Sequence, residues 1–365
     1  MNTRRKDAGQ RGPQMREPLR IGLAIPLQGP AGIFGPSCET AALLAAAQLN
    51  EHDGILDREV VIEVIDAGGS PQQTRRNVIA ALRSGRAHAI AGWHLSSVRE
   101  DLAPMLADYD VPYVYTSLHE GAHTPGVLAV GETPSRQIAP GLDWLHREFG
   151  IRRWAVVGSD YIWPRNTARA MREHAKENGD LEIAHESFVG YGVRDFSHVI
   201  EALSASHAQG VVMLLVGRDA VLFNRQFAAS GLDERMIRFT PLMEENMLLA
   251  SGGEATRELY VAAAYFRNLT TQAALDLAGA YGAGFGSDAP VLNNAGESCY
   301  EGLYALAAAA NKAQSLDSRA MLEGLEHGIS YEGPRGPVVL TAAGADQQVH
   351  LARADRLEFE VLARL

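Results

Sequence analysis

His119-Glu120-Gly121-Ala122-His123 has the spacing H-E-x-x-H. On a helix that spacing sets two imidazoles on one face to hold zinc, with the glutamate as general base. The surroundings argue against a helix: the segment follows an apolar strand-like run, contains Gly121 and leads into Thr124-Pro125-Gly126. Ala129 stands where the extended motif has its third histidine. A zinc hydrolase using His119, Glu120 and His123 is therefore the weaker alternative, and no metal or other cofactor is expected. Gly29-x-x-Gly32-x-x-Gly35 lacks the G-x-G opening that admits a pyrophosphate, and neither G-x-S-x-G nor G-x-x-x-x-G-K-[ST] occurs. No nucleophile, base and orienter assemble, so the reading is a protein that is not an enzyme.

Groups suited to binding are better represented. Trp93-His94-Leu95-Ser96-Ser97 closes a strand and opens a helix. A hydroxyl beside free first-turn amides can hold a carboxylate or carbonyl oxygen, although Ser96 or Ser97 could equally just cap that helix. In Tyr113-Val114-Tyr115-Thr116-Ser117, Tyr115 and Ser117 alternate onto one face, suited to an apolar contact plus one hydrogen bond; an interior tyrosine with a satisfied hydroxyl is the plainer alternative. Ser159-Asp160-Tyr161-Ile162-Trp163 offers Tyr161 as an opposing wall, with Trp163 more simply packed under a helix. Gly217-Arg218-Asp219 and residues 240–246, with Glu244 and Glu245, complete that wall. A carboxylate there could accept an ammonium or amide NH2, or merely mark an acidic helix start. The candidate ligand-binding residues are His94, Ser96, Ser97, Tyr115, Thr116, Ser117, Tyr161 and Glu244.

These groups sit at the ends of short apolar runs, where ligands of open α/β sheets are held. Strands are predicted over 20–25, 60–66, 87–92, 112–116 and 127–131, with helices over 38–50, 71–83 and 97–109 between them; Ser37 reads as the N-cap of the first. A second series follows: helices over 135–149, 163–178, 195–206 and 219–230 alternate with strands over 153–158, 181–189, 210–216 and 258–264. Helices over 271–285, 297–313 and 318–326 come next, then strands over 336–341, 347–353 and 357–362. A chain of 365 residues exceeds one hydrophobic core, so two similar α/β lobes are expected.

Composition removes other classes. The hydrophobic fraction is 46% and the charged fraction 21%, ordinary for a packed protein. With 33 basic and 44 acidic residues the net charge is −11, so direct nucleic-acid binding is disfavoured. Cys38 and Cys299 allow at most one disulfide, and whether they pair is left open. Residues 1–20 lack the apolar run of a secretory signal, and no stretch is long enough to span a bilayer. The expected location is cytoplasmic, or periplasmic if an export signal precedes Met1.

G-S-D-Y-I-W-P-R at 158–165, Y-T-S-L-H-E-G at 115–121 and N-A-G-E-S-C-Y-E-G-L-Y at 294–304 resemble the type I periplasmic binding proteins of the Leu/Ile/Val-binding kind. The nearest branch is that of amide and urea binders: the cytoplasmic sensor of aliphatic amidase regulation, and the binding components of urea and short-chain amide ABC transporters. The resemblance runs from about Leu19 to Arg353. It implies an α/β fold of two Rossmann-like, doubly wound lobes joined by a three-crossover hinge, with crossovers near 133–135, 262–266 and 330–333. Residues 1–18 would form a tail, 19–133 with 265–330 the first lobe, and 134–264 with 331–365 the second.

Residue by residue, the resemblance matches Ser96, Tyr115, Ser117 and Tyr161 to ligand contacts of the sensor. His94 replaces a tyrosine, Leu118 a proline and His119 an aromatic residue. Glu244 falls near an acidic residue that takes the ammonium group in amino-acid-binding relatives. The implied function is a sensor closing on a small amide, urea or amino-acid-like solute and acting through an antiterminator-type regulator. The alternative is the substrate-binding component of an ABC transporter, with a permease as partner; self-association into a homo-oligomer stays open.

Overall fold

The computed structural model describes residues 16–121 and 123–365. The first sheet grows from β1 (Leu19–Ile25), α1 (Gly35–Asn50), β2 (Val60–Asp66), α2 (Pro71–Arg83), β3 (Ala89–Gly92), α3 (Ser96–Asp108), β4 (Tyr113–Tyr115) and β5 (Val127–Ala129). Its order is β2-β1-β3-β4-β5, all parallel. Parallel strands covered on both faces are near-continuous apolar runs, as the fully buried β3 and β4 are.

The chain then leaves through α4 (Pro134–Phe149) into β6 (Arg153–Ser159), α5 (Ile162–Asn178), β7 (Glu182–Val189), α6 (Ser197–Ala205), β8 (Gly210–Leu214), α7 (Arg218–Ala229), β9 (Ile237–Thr240), α8 (Glu245–Ser251) and β10 (Leu259–Ala263). Helices α9 (Gln272–Phe285), α10 (Asn294–Ala313) and α11 (Ser318–Gly324) follow, and α10 packs on α1, β3 and β4 of the first sheet. Next, β11 (Ile329–Gly333), β12 (Gly336–Thr341) and β13 (Gly344–Gln347) form an antiparallel sheet of their own. Finally β14 (His350–Asp355) and β15 (Glu358–Arg364) complete the second sheet, of order β15-β14-β10-β9-β8-β6-β7, in which β14 alone runs opposite to the other strands. These are the two α/β lobes expected from the sequence.

Local chemistry sets the element ends. Ser70 caps α2 by accepting from Gln73 N–H ahead of Pro71, and Asn293 caps α10 by accepting from Gly296 N–H. Ser37 does not cap α1. A 3-10 turn over Pro30–Ile33 runs directly into the helix with Phe34 already in the right-handed region, so α1 starts at Gly35 and Ser37 lies inside it. Cys38 and Cys299 are free, buried thiols. Strand β9 escapes a reading by hydropathy because Arg238 sits in its middle, buried and satisfied by Asn224 Oδ1 (2.6 Å), the Ala255 carbonyl (2.7 Å) and the Arg257 carbonyl.

Candidate functional site

The carboxyl ends of β3 and β4 face that of β6 across the gap between the two main sheets. Gly92 ends β3 at φ +143°, where any Cβ would run into the Ala24 carbonyl. The chain then turns through Trp93 and His94 into α3. The His94 backbone organises this wall. Its carbonyl accepts from the hydroxyls of Tyr115 (2.9 Å) and Ser117 (2.8 Å), and its N–H donates to Ser117 Oγ (2.8 Å). The His94 ring bridges Tyr113 Oη (3.0 Å, at Nε2) and the Leu95 carbonyl (3.2 Å, at Nδ1). Burial lowers its pKa to about 4, so the ring is neutral, with Nδ1 donating and Nε2 accepting. Tyr115 and Ser117 thus act by fixing the loop, and their hydroxyls are already engaged.

Ser96 is different. It is the first residue of α3, 1% exposed, and its hydroxyl has no hydrogen-bond partner. Neither serine caps the helix: the N-cap is Leu95, whose carbonyl accepts from Val98 and Arg99 N–H. The N–H groups of Ser96 and Ser97 are the first-turn donors that the helix itself cannot satisfy. Ser97 is half-buried beside Ser96.

Beneath this wall Arg99 lies 5.2 Å from the centre of the Tyr115 ring and donates to Glu120 (2.8 Å) and Glu100 (2.8 Å). Glu120, the would-be base of H-E-x-x-H, is therefore the buried counter-ion of Arg99. His119 and Glu120 stand in a loop, the His119 ring accepts from Gly121 N–H (3.2 Å), and Ala122 lies outside the described residues. The helix that the zinc motif requires is not formed by 119–121.

Across the gap, Tyr161 is the half-buried N-cap of α5, with Trp163 buried below it and Tyr191 edge-on at 6.4 Å. Asp219, in the first turn of α7, accepts from Gly192 N–H (2.7 Å) through Oδ2, while Oδ1 is buried without a partner; burial raises its pKa. The lobes touch at the mouth. Tyr191 Oη accepts from Ala31 N–H (3.1 Å), and Asn246 donates to the Ile33 carbonyl (2.8 Å). Gly217 meets the Pro30 carbonyl so closely that a Cβ there would lie 2.1 Å from the oxygen.

A cavity of about 10 Å³, room for roughly one water, remains between the walls. It is lined by Trp93, His94, Leu95, Ser96, Tyr115, Ser117, Leu118, Tyr161, Trp163 and Leu242. The structure thus brings His94, Ser96, Tyr115, Ser117 and Tyr161 together. It does not bring Thr116, which points from the opposite face of β4 to Cys299 Sγ (3.5 Å). Glu244 also lies elsewhere: buried at the start of α8, it accepts from Ala295 N–H (3.3 Å) at the head of α10, and burial with Glu245 alongside raises its pKa well above the usual carboxylate range. Sequence reading missed the Arg99–Glu120 pair, whose only signal is two opposite charges at neighbouring strand ends.

Among solved structures, the chain resembles an ABC transporter substrate-binding protein from Sphaerobacter thermophilus (TM-score 0.81, 22% identity, covering 95% of this chain and 98% of that one). It also resembles a leucine binding protein from Thermotoga maritima (TM-score 0.82, 18% identity, 95% and 98%). A solute binding protein from Rhodopseudomonas palustris solved with 3,4-dihydroxybenzoic acid superposes at TM-score 0.82 with 20% identity, over 95% and 97%. At such identities these likenesses concern the fold. In sequence, the Leu/Ile/Val-binding protein BraC3 of Rhizobium johnstonii is 26% identical over 183 residues, 49% of each chain. The chain thus spans about half the length of that curated relative in the matched region. The model of the family described as periplasmic binding protein matches residues 18–356, a span containing the first sheet, all of the second but β15 and every residue of the cleft, and the chain belongs to that family.

Proposed function

We propose that the protein is the solute-binding component of an ABC transporter, and that its cleft takes a small carboxylic acid with an apolar, preferably aromatic, body. The observation that carries this reading is Ser96: a buried, unpartnered hydroxyl beside the free N–H groups at the head of a thirteen-residue helix, facing the space between the lobes. Backbone donors and a helix N-terminus favour an anion over a neutral amide. Besides His94 and Ser117, the rest of the lining is Trp93, Tyr115, Tyr161, Trp163 and three leucines, suited to a ring or branched aliphatic chain.

The relatives support a transport role over the sensor expected from the sequence, since those named are substrate-binding or Leu/Ile/Val-binding proteins. A permease is then the partner, and the periplasm, the compartment of the family, replaces the cytoplasm as the expected location. Among the described residues no helix is long and apolar enough to cross a membrane. The relatives' names favour a second reading, a branched-chain amino acid. Against it, no acidic side chain lines the cavity to meet an ammonium group, and Glu244 is already engaged at the head of α10.

Ligand entry requires the lobes to part, and closure is driven by the ligand's preference for the state in which both walls touch it. Titration calorimetry with benzoate, 4-hydroxybenzoate, leucine, acetamide and urea tests the class. Saturable heat is expected for the carboxylates, strongest for the aromatic ones. Binding of acetamide or urea with none of the acids would overturn the reading.

A further inference from the structure

We propose a second ligand site outside the cleft, a pocket of about 240 Å³ between α9, α10 and β11 that takes a small primary-ammonium cation. Its walls include Tyr300, Tyr304, Tyr331, Glu301, Asp276 and Glu332. Three carboxylates and three phenol rings line it, and no lysine or arginine does. The Tyr300 and Tyr304 rings stand 4.9 Å apart, both fixed by hydroxyls donating to Gln48 Oε1 (2.6 and 3.1 Å).

Glu301 is the centre of the argument. It is 1% exposed, and its Oε1 is buried without a hydrogen bond of good geometry; burial and then the charge of this same carboxylate raise the pKa of the neighbouring Tyr331 hydroxyl. Gly333 closes the floor against this carboxylate so tightly that a Cβ there would lie 2.8 Å from Glu301 Oε2. The buried Arg335 bonds Glu297 and Gln347, keeps one N–H group (Nη2) unpaired, acts on Glu301 only through its charge, and does not line the pocket. Buried carboxylate oxygens left short of donors are costly. An alkylammonium group supplies three N–H donors to them, while tyrosine faces attract its charge and cover its methylenes. A metal ion fits less well: among the described residues no three His, Cys, Asp or Glu side chains are grouped to hold one.

The test is thermal shift and calorimetry on the whole protein with ethylammonium and putrescine, against sodium chloride at equal ionic strength. A saturable rise in Tm of about 2 °C or more is expected. Tetramethylammonium, which has no N–H, should bind at least roughly tenfold more weakly. Glu301→Gln should weaken the amines by a similar factor, and Ala273→Phe, which puts a ring into the lining while leaving all three carboxylates in the sequence, should abolish them. Ser96→Ala in the cleft should leave them unchanged, so failure here is separable from failure of the cleft reading. No saturable effect, equal binding in both pocket variants, or loss of binding in Ser96→Ala overturns the proposal. If circular dichroism shows Glu301→Gln unfolded, Ala273→Phe alone decides.

Discussion

The hinge and the cleft are both buried and polar, and they are built on opposite rules. At the hinge the groups are charged and multiply bonded. Glu132, on the first crossover, accepts from Ala264 N–H (2.9 Å) on the second and from Asn294 Nδ2 (3.0 Å) at the head of α10; Asn294 Oδ1 accepts from Tyr265 N–H (2.9 Å). Arg335, between β11 and β12, reaches Glu297, Gln347 Oε1 (2.8 Å) and the Val130 carbonyl (3.4 Å). In the cleft the bonds run through a neutral imidazole and backbone groups, and one hydroxyl is left idle. A hinge has to keep its bonds whatever the lobes do, and multiply bonded ionic groups are directional enough for that even with Glu297 Oε1, Arg335 Nη2 and Gln347 Nε2 left without partners. A binding wall has to leave its decisive hydrogen bond unmade until the ligand arrives, and a fixed charge in it would bias the lobes beforehand.

The largest effect belongs to the hinge. Arg335 and Glu297 are both 0% exposed, so Arg335→Met strands a buried carboxylate and should cost about 3–5 kcal/mol in urea denaturation. Adding Glu297→Gln should restore much of it, since the penalty is an unpaired charge. A single variant losing under about 1 kcal/mol would mean the pair is not the hinge's anchor.

Next comes acid. His94 and His119 are held neutral with pKa values lowered to about 4, chiefly by burial, whereas unfolded histidine titrates near 6.5. Each therefore contributes stability that is complete above pH 6.5 and is lost as pH falls toward 4, by up to about 3 kcal/mol apiece. Glu245, raised to about 7 mainly by burial, works the other way, gaining as pH falls through that value. The His94 share is isolated by comparing urea midpoints of wild type and His94→Gln at pH 7 and 4.5. Equal acid sensitivity of the two proteins would remove His94 from the account.

Smaller again is Ser96→Ala, which should weaken a carboxylate ligand by about 1.5–3 kcal/mol, roughly 10- to 100-fold in Kd, because the lost bond is charge-assisted. Folding stability should not fall, because the hydroxyl has no partner in the protein. A stability loss as large as the binding loss would place Ser96 with the structural groups.

The alternation of apolar runs with amphipathic segments was enough to read both sheets, because parallel strands buried on two faces announce themselves by composition. It failed where elements are short or charged: β9 carries the buried Arg238, and α8 has seven residues. The cleft was partly legible. The rule of strand ends selects Ser96, Tyr115, Ser117 and Tyr161, and period-two alternation already sets Thr116 on the other face of β4. What could not be read is which hydroxyl is free. That depends on Tyr115 and Ser117 reaching back 21 and 23 residues to one carbonyl, and on Arg99 finding Glu120 across 21, pairings created only when β3 and β4 lie side by side. The assignment of Glu244 to the cleft fails for the same reason, since its partner is the head of a helix 51 residues away.

The mildest test joins the two regions. Tyr191 bridges the lobes at the mouth, its hydroxyl accepting from Ala31 N–H in the 3-10 turn, and the residue is 38% exposed. Tyr191→Phe keeps the ring against Tyr161 and removes only that bond, which exists in the closed arrangement. A partly exposed neutral hydrogen bond is worth about 1 kcal/mol, so the closed state should lose a factor of roughly five in population. Because the bond forms after the ligand has met the first wall, the loss should fall on dissociation: koff up about fivefold in stopped flow, kon nearly unchanged. An equal fall in kon would mean that Tyr191 shapes the open cleft instead of latching the closed one, and the division between a permanently bonded hinge and a conditionally bonded cleft would then have to be redrawn around it.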